Sequence, residues 1–323
     1  MKKLAVITFI FLAIIGFVAF ILNPFQAPSN VDKTEIVTLD TDSDDVVGLK
    51  LKEQGFIKSQ VAFDLALTLK NKHNKIQSGG YYLSKNMNVW RIINAITKGP
   101  DLKWVTVLEG MRKEQIGERL KKTFGWSDED LKKWNEVYTA MKYDYVEGVY
   151  FPDTYLIPVK EDGLQIALRM INRFNEKLAP FQKKFSEKNI IWTTGLKIAS
   201  IIQREAAGPQ DMPLIAGVLW NRLLKNQKLQ IDATIQYAKG KVGDTWWSVV
   251  TPSDIQNIDS SYNTYQYAGL PPHPISNPGL DAIKAVLNPE ETKCLYYLHD
   301  YKGQIHCAVT YEEHLENIKE YLN

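Results

Sequence analysis

Polarity is spread very unevenly along the chain. Residues 4–22 carry no charge and a single glycine, Gly16, among large aliphatic residues and phenylalanine. At 1.5 Å rise per residue such a stretch covers roughly 28 Å, close to the ~30 Å hydrocarbon thickness of a bilayer. It is longer than the apolar region of a cleaved leader and lacks a small-x-small exit, so residues 4–22 are expected to remain as a membrane anchor. Lys2 and Lys3 precede it and no charge follows until Asp32, which places residues 1–3 in the cytoplasm and the remainder outside. The Pro, Ser, Asn and Gln content of residues 23–33 reads as a short linker.

Past the linker the apolar spacing switches between the periods of strands and helices. Residues 35–39 predict a strand, 46–54 a helix, and Ser59 caps a second helix to about Asn71. Gly79-Gly80-Tyr81-Tyr82-Leu83 is a glycine turn into a short strand, and residues 89–97 form a third helix. Strand, turn and helix then recur at 104–108, 109–110 and 112–122. This fits either a degenerate repeat or the common unit of any α+β protein. Residues 126–143 are expected to be helical, and a domain boundary is placed near 145. Helices at 163–185, 193–207 and 212–225 follow, then a loop-rich stretch from 230 to 278, a helix at 280–287, and a terminal hairpin with a closing helix. Within that stretch, 249–278 is too aperiodic for a core element and too aromatic for a linker, which is the pattern of loops that line sites. The expected fold class is α+β: a small α/β module over 34–145 and a larger, mainly helical domain over 146–323 with a loop-rich groove.

Composition adds mostly exclusions. With 323 residues, 45% hydrophobic and 24% charged, the chain has ample material for packed cores. A formal charge of +2 without a basic block argues against nucleic acid as a partner. His73, His273, His299, His306 and His314 show no paired ligand spacing, so no metal site or cofactor is expected. There is no Gly-x-Ser-x-Gly elbow, phosphate loop or dinucleotide fingerprint. Cys294 and Cys307 flank a hairpin turn at 300–303, which allows a cross-strand disulfide or two separate thiols.

Carboxylate chemistry remains, and one residue stands out for it. Ile198, Ile201, Ile202 and Glu205 stand at relative positions 0, 3, 4 and 7, so an acid occupies the next place on an apolar helix stripe. Burial there disfavours the ionised form, and so does the negative end of a helix that Gly208-Pro209 terminates within a turn. The competing reading is a structural acid paired with a buried arginine such as Arg222. Gln203 and Arg204 point off the stripe and need only a solvent-facing explanation.

Five ordered motifs then carry a resemblance to the MltG (YceG-like) family of endolytic murein transglycosylases over almost the whole chain. IASIIQREA (198–206) resembles the family's Ala-Ser-Ile-Val-Glu-Lys-Glu-Thr, and GVLWNRL (217–223) its Val-Phe-x-Asn-Arg-Leu. LQIDATIQY (229–237) is similar to Leu-Gln-Thr-Asp-Pro-Thr-x-x-Tyr. SYNTYQYAGLPPHPISNPG (261–279) and EGVYFPDTY (147–155) resemble its remaining elements. Gln203 stands where the family usually has the first glutamate of a pair, and Glu205 stands at the second. Ala206, Ile231, Ala233 and residues 305–307 are further departures.

The resemblance implies a LysM-like first module and Glu205 as the catalytic acid and base. The substrate implied is the glycan strand of peptidoglycan, cleaved internally between N-acetylmuramic acid and N-acetylglucosamine to leave 1,6-anhydro ends, with no cofactor and an association with peptidoglycan synthases. Asn221, Arg222, Asp232, Tyr262, Asn263 and Tyr265 are the candidates to hold substrate, although the same residues suit loop anchoring. Two other functions stay open: a hydrolytic muramidase using Glu205 with Asp232, and a non-catalytic wall-binding scaffold.

Overall fold

The computed structural model describes residues 23–40, 43–140 and 147–322, with residue 17 alone before them. Apart from Phe17, the expected anchor lies outside the described residues. Among those described, no helix is long and apolar enough to cross a membrane. The fold is mixed α+β. It divides into two compact units, Met1–Val105 with Tyr155–Lys160, and Thr106–Thr154 with Glu161–Asn323. The boundary expected near 145 falls on residues 141–146, outside the described ones, and the described residues on either side of it, 106–140 and 147–154, belong to the same unit.

The first unit has the order β1 (Thr34–Leu39), α1 (Asp44–Glu53), α2 (Gln60–Lys70), β2 (Gly79–Ser84), α3 (Val89–Ile96) and β3 (Leu102–Thr106). Strand β4 (Thr154–Pro158) completes a sheet of order β1-β2-β3-β4. β1 and β2 pair antiparallel with Val37 opposite Tyr81 and Leu39 opposite Gly79. Alternation then sends Val37, Leu39, Tyr81 and Leu83 into the core while Ile36 and Tyr82 face outward. Helix α3 contributes Val89, Ile92, Ile93 and Ile96, a 0-3-4-7 stripe that is buried throughout. Ser59 caps α2 by accepting from the Ala62 amide at 3.3 Å, and Asn88 caps α3 through the Arg91 amide at 3.0 Å. Gly79 has φ +150°, and a Cβ there would lie 2.6 Å from the Leu102 carbonyl and from Pro100, so β2 and β3 meet only because it is glycine. Sequence patterning did not anticipate β4. Its residues follow a Pro-Asp turn and read as an aromatic cluster, yet Tyr155–Lys160 return to the first unit.

The second unit is mostly helical: α4 (Lys113–Phe124), α5 (Asp128–Lys133) running into a π-turn at Trp134–Tyr138, α6 (Gly163–Leu178), α7 (Gln182–Glu187), α8 (Trp192–Glu205) and α9 (Met212–Leu224). Then come α10 (Asp232–Lys239), α11 (Pro252–Asn257), α12 (Leu280–Leu287), the antiparallel hairpin β5 (Tyr296–His299) and β6 (Ile305–Ala308), and α13 (Tyr311–Tyr321). The helix expected over 163–185 is broken, because Pro180 cannot donate to the ladder: a short 3-10 turn separates α6 from α7. The loop-rich stretch contains α10, whose Ala233, Thr234, Ile235 and Tyr237 are all buried. A helix buried on several sides has no amphipathic stripe, which is why its period escapes detection. Helices α8, α9 and α12 pack on one another. Gly217 of α9 leaves no room for a Cβ against the Glu290 carbonyl, which lets the chain beyond α12 run close to α9. Cys294 and Cys307 are joined by a disulfide with a Cα–Cα distance of 5.8 Å, closing the hairpin.

Candidate active site

Helix α8 buries Ile198, Ile201 and Ile202 completely. The next position on that stripe is Glu205, the last residue of the helix, after which Ala206 turns extended with ψ 138°. The helix thus stops earlier than the Gly208-Pro209 pair suggests. Asp211 is the local reason, since its buried carboxylate accepts from the Ala207 amide at 3.2 Å and holds the turn that leaves the helix. His299 reaches the same carboxylate at 3.1 Å.

Glu205 is half-buried at the wall of a cleft of about 440 Å³. Arg222, Gln230, Asp232, Tyr265 and Tyr297 share that lining. The carboxyl group accepts at Oε2 from the Tyr297 hydroxyl at 2.8 Å. Its pKa is raised above the usual carboxylate range, chiefly because burial disfavours the charged form. The Tyr297 bond opposes that shift, and the charge of Asp232 adds to it. Its position at the C-terminal end of α8 also disfavours an anion.

Arg222 does not pair with this acid. Its Nε donates to the Leu295 carbonyl at 2.5 Å and its Nη1 to the carbonyls of Lys228 and Leu229 at 3.0 and 2.8 Å, with Gln230 Oε1 at 3.2 Å. The guanidinium lies 4.8 Å from the Tyr296 ring centre. Arg222 is therefore a buried clamp that fixes the hairpin and the chain entering α10. The structural alternative for Glu205, an ion pair with this arginine, is absent.

The structure brings together four of the seven residues singled out from sequence: Glu205, Arg222, Asp232 and Tyr265. Tyr265 donates to Asp232 Oδ1 at 2.7 Å across the cleft wall. Gln230, just before α10, has φ +55°, the left-handed region, so the backbone entering the site is held in a conformation a side chain rarely adopts. The other three residues lie outside the cleft lining. Asn221 spends its amide on the carbonyls of Thr292 and Cys294 at 2.8 and 3.1 Å. Asn263 is fully buried and bonds the carbonyls of Ile255 and Ile258 at 3.1 and 2.8 Å. Tyr262 packs on Tyr237 with ring centres 4.8 Å apart. Asn221 and Asn263 anchor loops, because amide groups whose donors are spent on carbonyls have none left for a ligand, while Tyr262 is held by its ring packing.

Gln203 and Arg204, expected to need only a solvent-facing explanation, are partly exposed and have specific partners. The Gln203 side-chain oxygen accepts from the Gly279 amide at 3.0 Å, and the Arg204 guanidinium stacks 3.9 Å from the Trp247 ring centre. An amide oxygen makes the Gly279 contact as a carboxylate would, so glutamine suffices at 203. Sequence reasoning missed Tyr297, Asp211 and His299. Tyr297 and His299 stand two apart on β5, on one face of the strand, which is the signal that was there to read.

A further buried acid, Glu147, ties its own motif to two distant ones. It is wholly enclosed and accepts from the Lys113 amide at 3.0 Å, the Asn277 amide group at 2.8 Å and the Tyr237 hydroxyl at 3.3 Å. Burial, with the nearby charge of Glu114, raises its pKa, against the opposing pull of Arg112 and Lys113.

A mixed α+β chain with a partly enclosed acid at a helix end, bonded to a tyrosine and lining a cleft with several aromatic rings, defines a candidate carboxylate-centred site. Residues 38–320 match the YceG-like family, and the chain belongs to that family. Relatives named endolytic murein transglycosylase occur in Bacillus subtilis strain 168, 31% identical over 295 residues covering 84% of this chain and 80% of the relative, and in Streptococcus pneumoniae D39, 29% identical over 310 residues covering 86% of this chain. The chain spans 56% of the length of the pneumococcal relative. A crystal structure of a YceG-like protein from Listeria monocytogenes superposes with a TM-score of 0.61 at 27% identity, covering 88% of this chain and 99% of that one.

Proposed function

We propose that the chain is a lytic transglycosylase that cleaves peptidoglycan glycan strands internally, with Glu205 as both acid and base. The observation that carries this reading is the setting of Glu205: half-buried on a cleft, with its carboxyl pKa raised chiefly by burial, and in no salt bridge among the described residues, the charges of His299 and Arg204 opposing the shift only as smaller contributions. The protonated carboxyl donates to the glycosidic oxygen between N-acetylmuramic acid and N-acetylglucosamine as the bond to muramic C1 breaks and an oxocarbenium-like centre develops. The resulting carboxylate takes the proton of the muramic C6 hydroxyl, whose oxygen closes on C1. The product is a 1,6-anhydro ring, the acid is regenerated and no water is consumed. One carboxylate suffices because the substrate supplies its own nucleophile. This reading gives Asp232 and Tyr265, which share that lining, the role of holding hydroxyl or acetamido groups of the sugar.

In this reading residues 4–22 anchor the chain in the cytoplasmic membrane with the N-terminus inside. The first unit, in this reading a LysM-like module by its Gly-Gly-Tyr-Tyr-Leu segment, meets glycan near the membrane, where peptidoglycan synthases deliver new strands. The Cys294–Cys307 disulfide suits that oxidising side.

A hydrolytic muramidase is the second reading, since Asp232 shares the cleft with Glu205. Digestion of purified glycan strands by wild type and Glu205→Gln, read by product mass, separates the two. Anhydro ends lost in the variant support the lyase. Reducing ends from the wild type would replace it by a hydrolase, and intact strands with both proteins would leave a binding scaffold.

A further inference from the structure

We infer that Tyr297 is a positioning residue that fixes the Glu205 proton on one oxygen and keeps that acid strong enough to donate. The inference rests on the reading of Glu205 as the acid. A carboxylic acid has two oxygens that exchange roles freely unless something distinguishes them. Here the Tyr297 hydroxyl donates to Oε2 at 2.8 Å, so Oε2 serves as the carbonyl oxygen. The proton is thereby assigned to Oε1. Burial and the neighbouring Glu205 charge hold the phenol's own pKa well above the ordinary value, so it keeps its proton, and with it the ability to donate, throughout the working range.

The strand that carries Tyr297 is held for this purpose from both sides. Within the hairpin Tyr297 stands opposite Cys307, the Leu295 amide donates to the Ala308 carbonyl at 2.8 Å, and the disulfide closes Cys294 on Cys307. Toward α9, Arg222 grips the Leu295 carbonyl at 2.5 Å and stacks on Tyr296, while Asn221 holds the Cys294 carbonyl at 3.1 Å. The groups facing the carboxyl are therefore Tyr297 and, farther off, Asp232, His299 and Arg204. Of these, Tyr297 alone contacts it.

A donor to the carboxylate form stabilises the charge that develops as Glu205 gives up its proton, and the same bond then steadies the carboxylate while it waits to act as base. Removing the hydroxyl makes Glu205 a weaker acid. The rate falls, and the pH at which the acid form disappears moves upward.

The test is the pH dependence of glycan-strand cleavage by wild type, Tyr297→Phe and Glu205→Gln, with thermal unfolding of each. Tyr297→Phe is expected to lower kcat about tenfold with KM within about twofold, corresponding to roughly one pKa unit. Its falling limb shifts to higher pH and its Tm stays near that of the wild type. Site-specific 3-fluorotyrosine at 297, a stronger donor of almost the same size, is expected to move the limb to lower pH, and it stands in if the phenylalanine variant does not fold. A limb that stays in place in both proteins, or a loss confined to KM or to the folded fraction, overturns the role of Tyr297. An active Glu205→Gln overturns the reading of Glu205 itself, and this proposal with it.

Discussion

Glu205 and Glu147 share a unit and a property, a carboxyl group whose proton is held more tightly than in water, and they differ in everything that surrounds it. Glu147 is enclosed by Lys113, Asn277 and Tyr237, which supply donors to both of its oxygens. Glu205 has one oxygen engaged by Tyr297 and the other on a cleft. Burial alone does not make an acid catalytic. What distinguishes the two is unspent hydrogen-bonding capacity beside a space large enough for substrate.

The largest expected effect breaks that comparison outright if it fails. Glu205→Gln keeps shape and removes the proposed proton donor, so cleavage should fall by about 10³-fold, within the range general acid–base catalysis supplies, with Tm nearly unchanged. Glu147→Ala should do the reverse. It strips an acceptor from three buried donors and costs about 3 kcal/mol of stability, while activity per folded molecule stays within about threefold. Chemical denaturation and active-site-normalised rates separate the outcomes. A Glu147→Ala protein that folds well and does not cleave would make Glu147 part of the chemistry.

The next effect is a matter of pH. The folded-state pKa of Glu147 is pushed up to about 8 from an ordinary 4.5. A raised carboxyl pKa means that the folded state holds more protons than the unfolded one between those values. Its contribution is complete below 4.5 and is lost as pH rises toward 8. Glutamine does not titrate. The Tm deficit of Glu147→Gln relative to wild type should therefore shrink as pH climbs through that window, and a deficit independent of pH would show that Glu147 stays ionised when folded.

How far the sequence foretold this pair follows from where each residue sits. Glu205 was legible because α8 has a regular stripe and an acid interrupts it. Glu147 stands beside a Pro-Asp turn with no periodicity to interrupt, and its partners come from residues 113, 237 and 277, a closeness that only folding creates. The same limit explains Asn263 and Tyr262, whose types suit sugar binding but whose carbonyl and ring partners are fixed by a loop that pattern cannot trace. The secondary structure divides along similar lines. Amphipathic α3, α8 and α12 were anticipated, whereas α10, buried on several sides, and β4, returning from far along the chain, were not.

The smallest effect sharpens the contrast from the side of Glu205. Its hairpin is cross-linked between residues separated by 13 positions, and closing a loop of that size removes enough unfolded-state freedom to stabilise by about 2 to 3 kcal/mol. Arg222 and Asn221 tie the same strand to α9 without it. In the double variant Cys294→Ser with Cys307→Ser, the lost stability should therefore appear in the denaturation midpoint, while the pH profile of cleavage stays in place because the Arg222 clamp still presents Tyr297. A profile shifted in the manner of Tyr297→Phe would mean that the cross-link, rather than the clamp, sets the proton of Glu205. Glu147 has no counterpart to either device. Its partners come from the start of α4, from α10 and from the loop before α12, whereas an acid left open on one side depends on a strand brought to it from the far end of the chain.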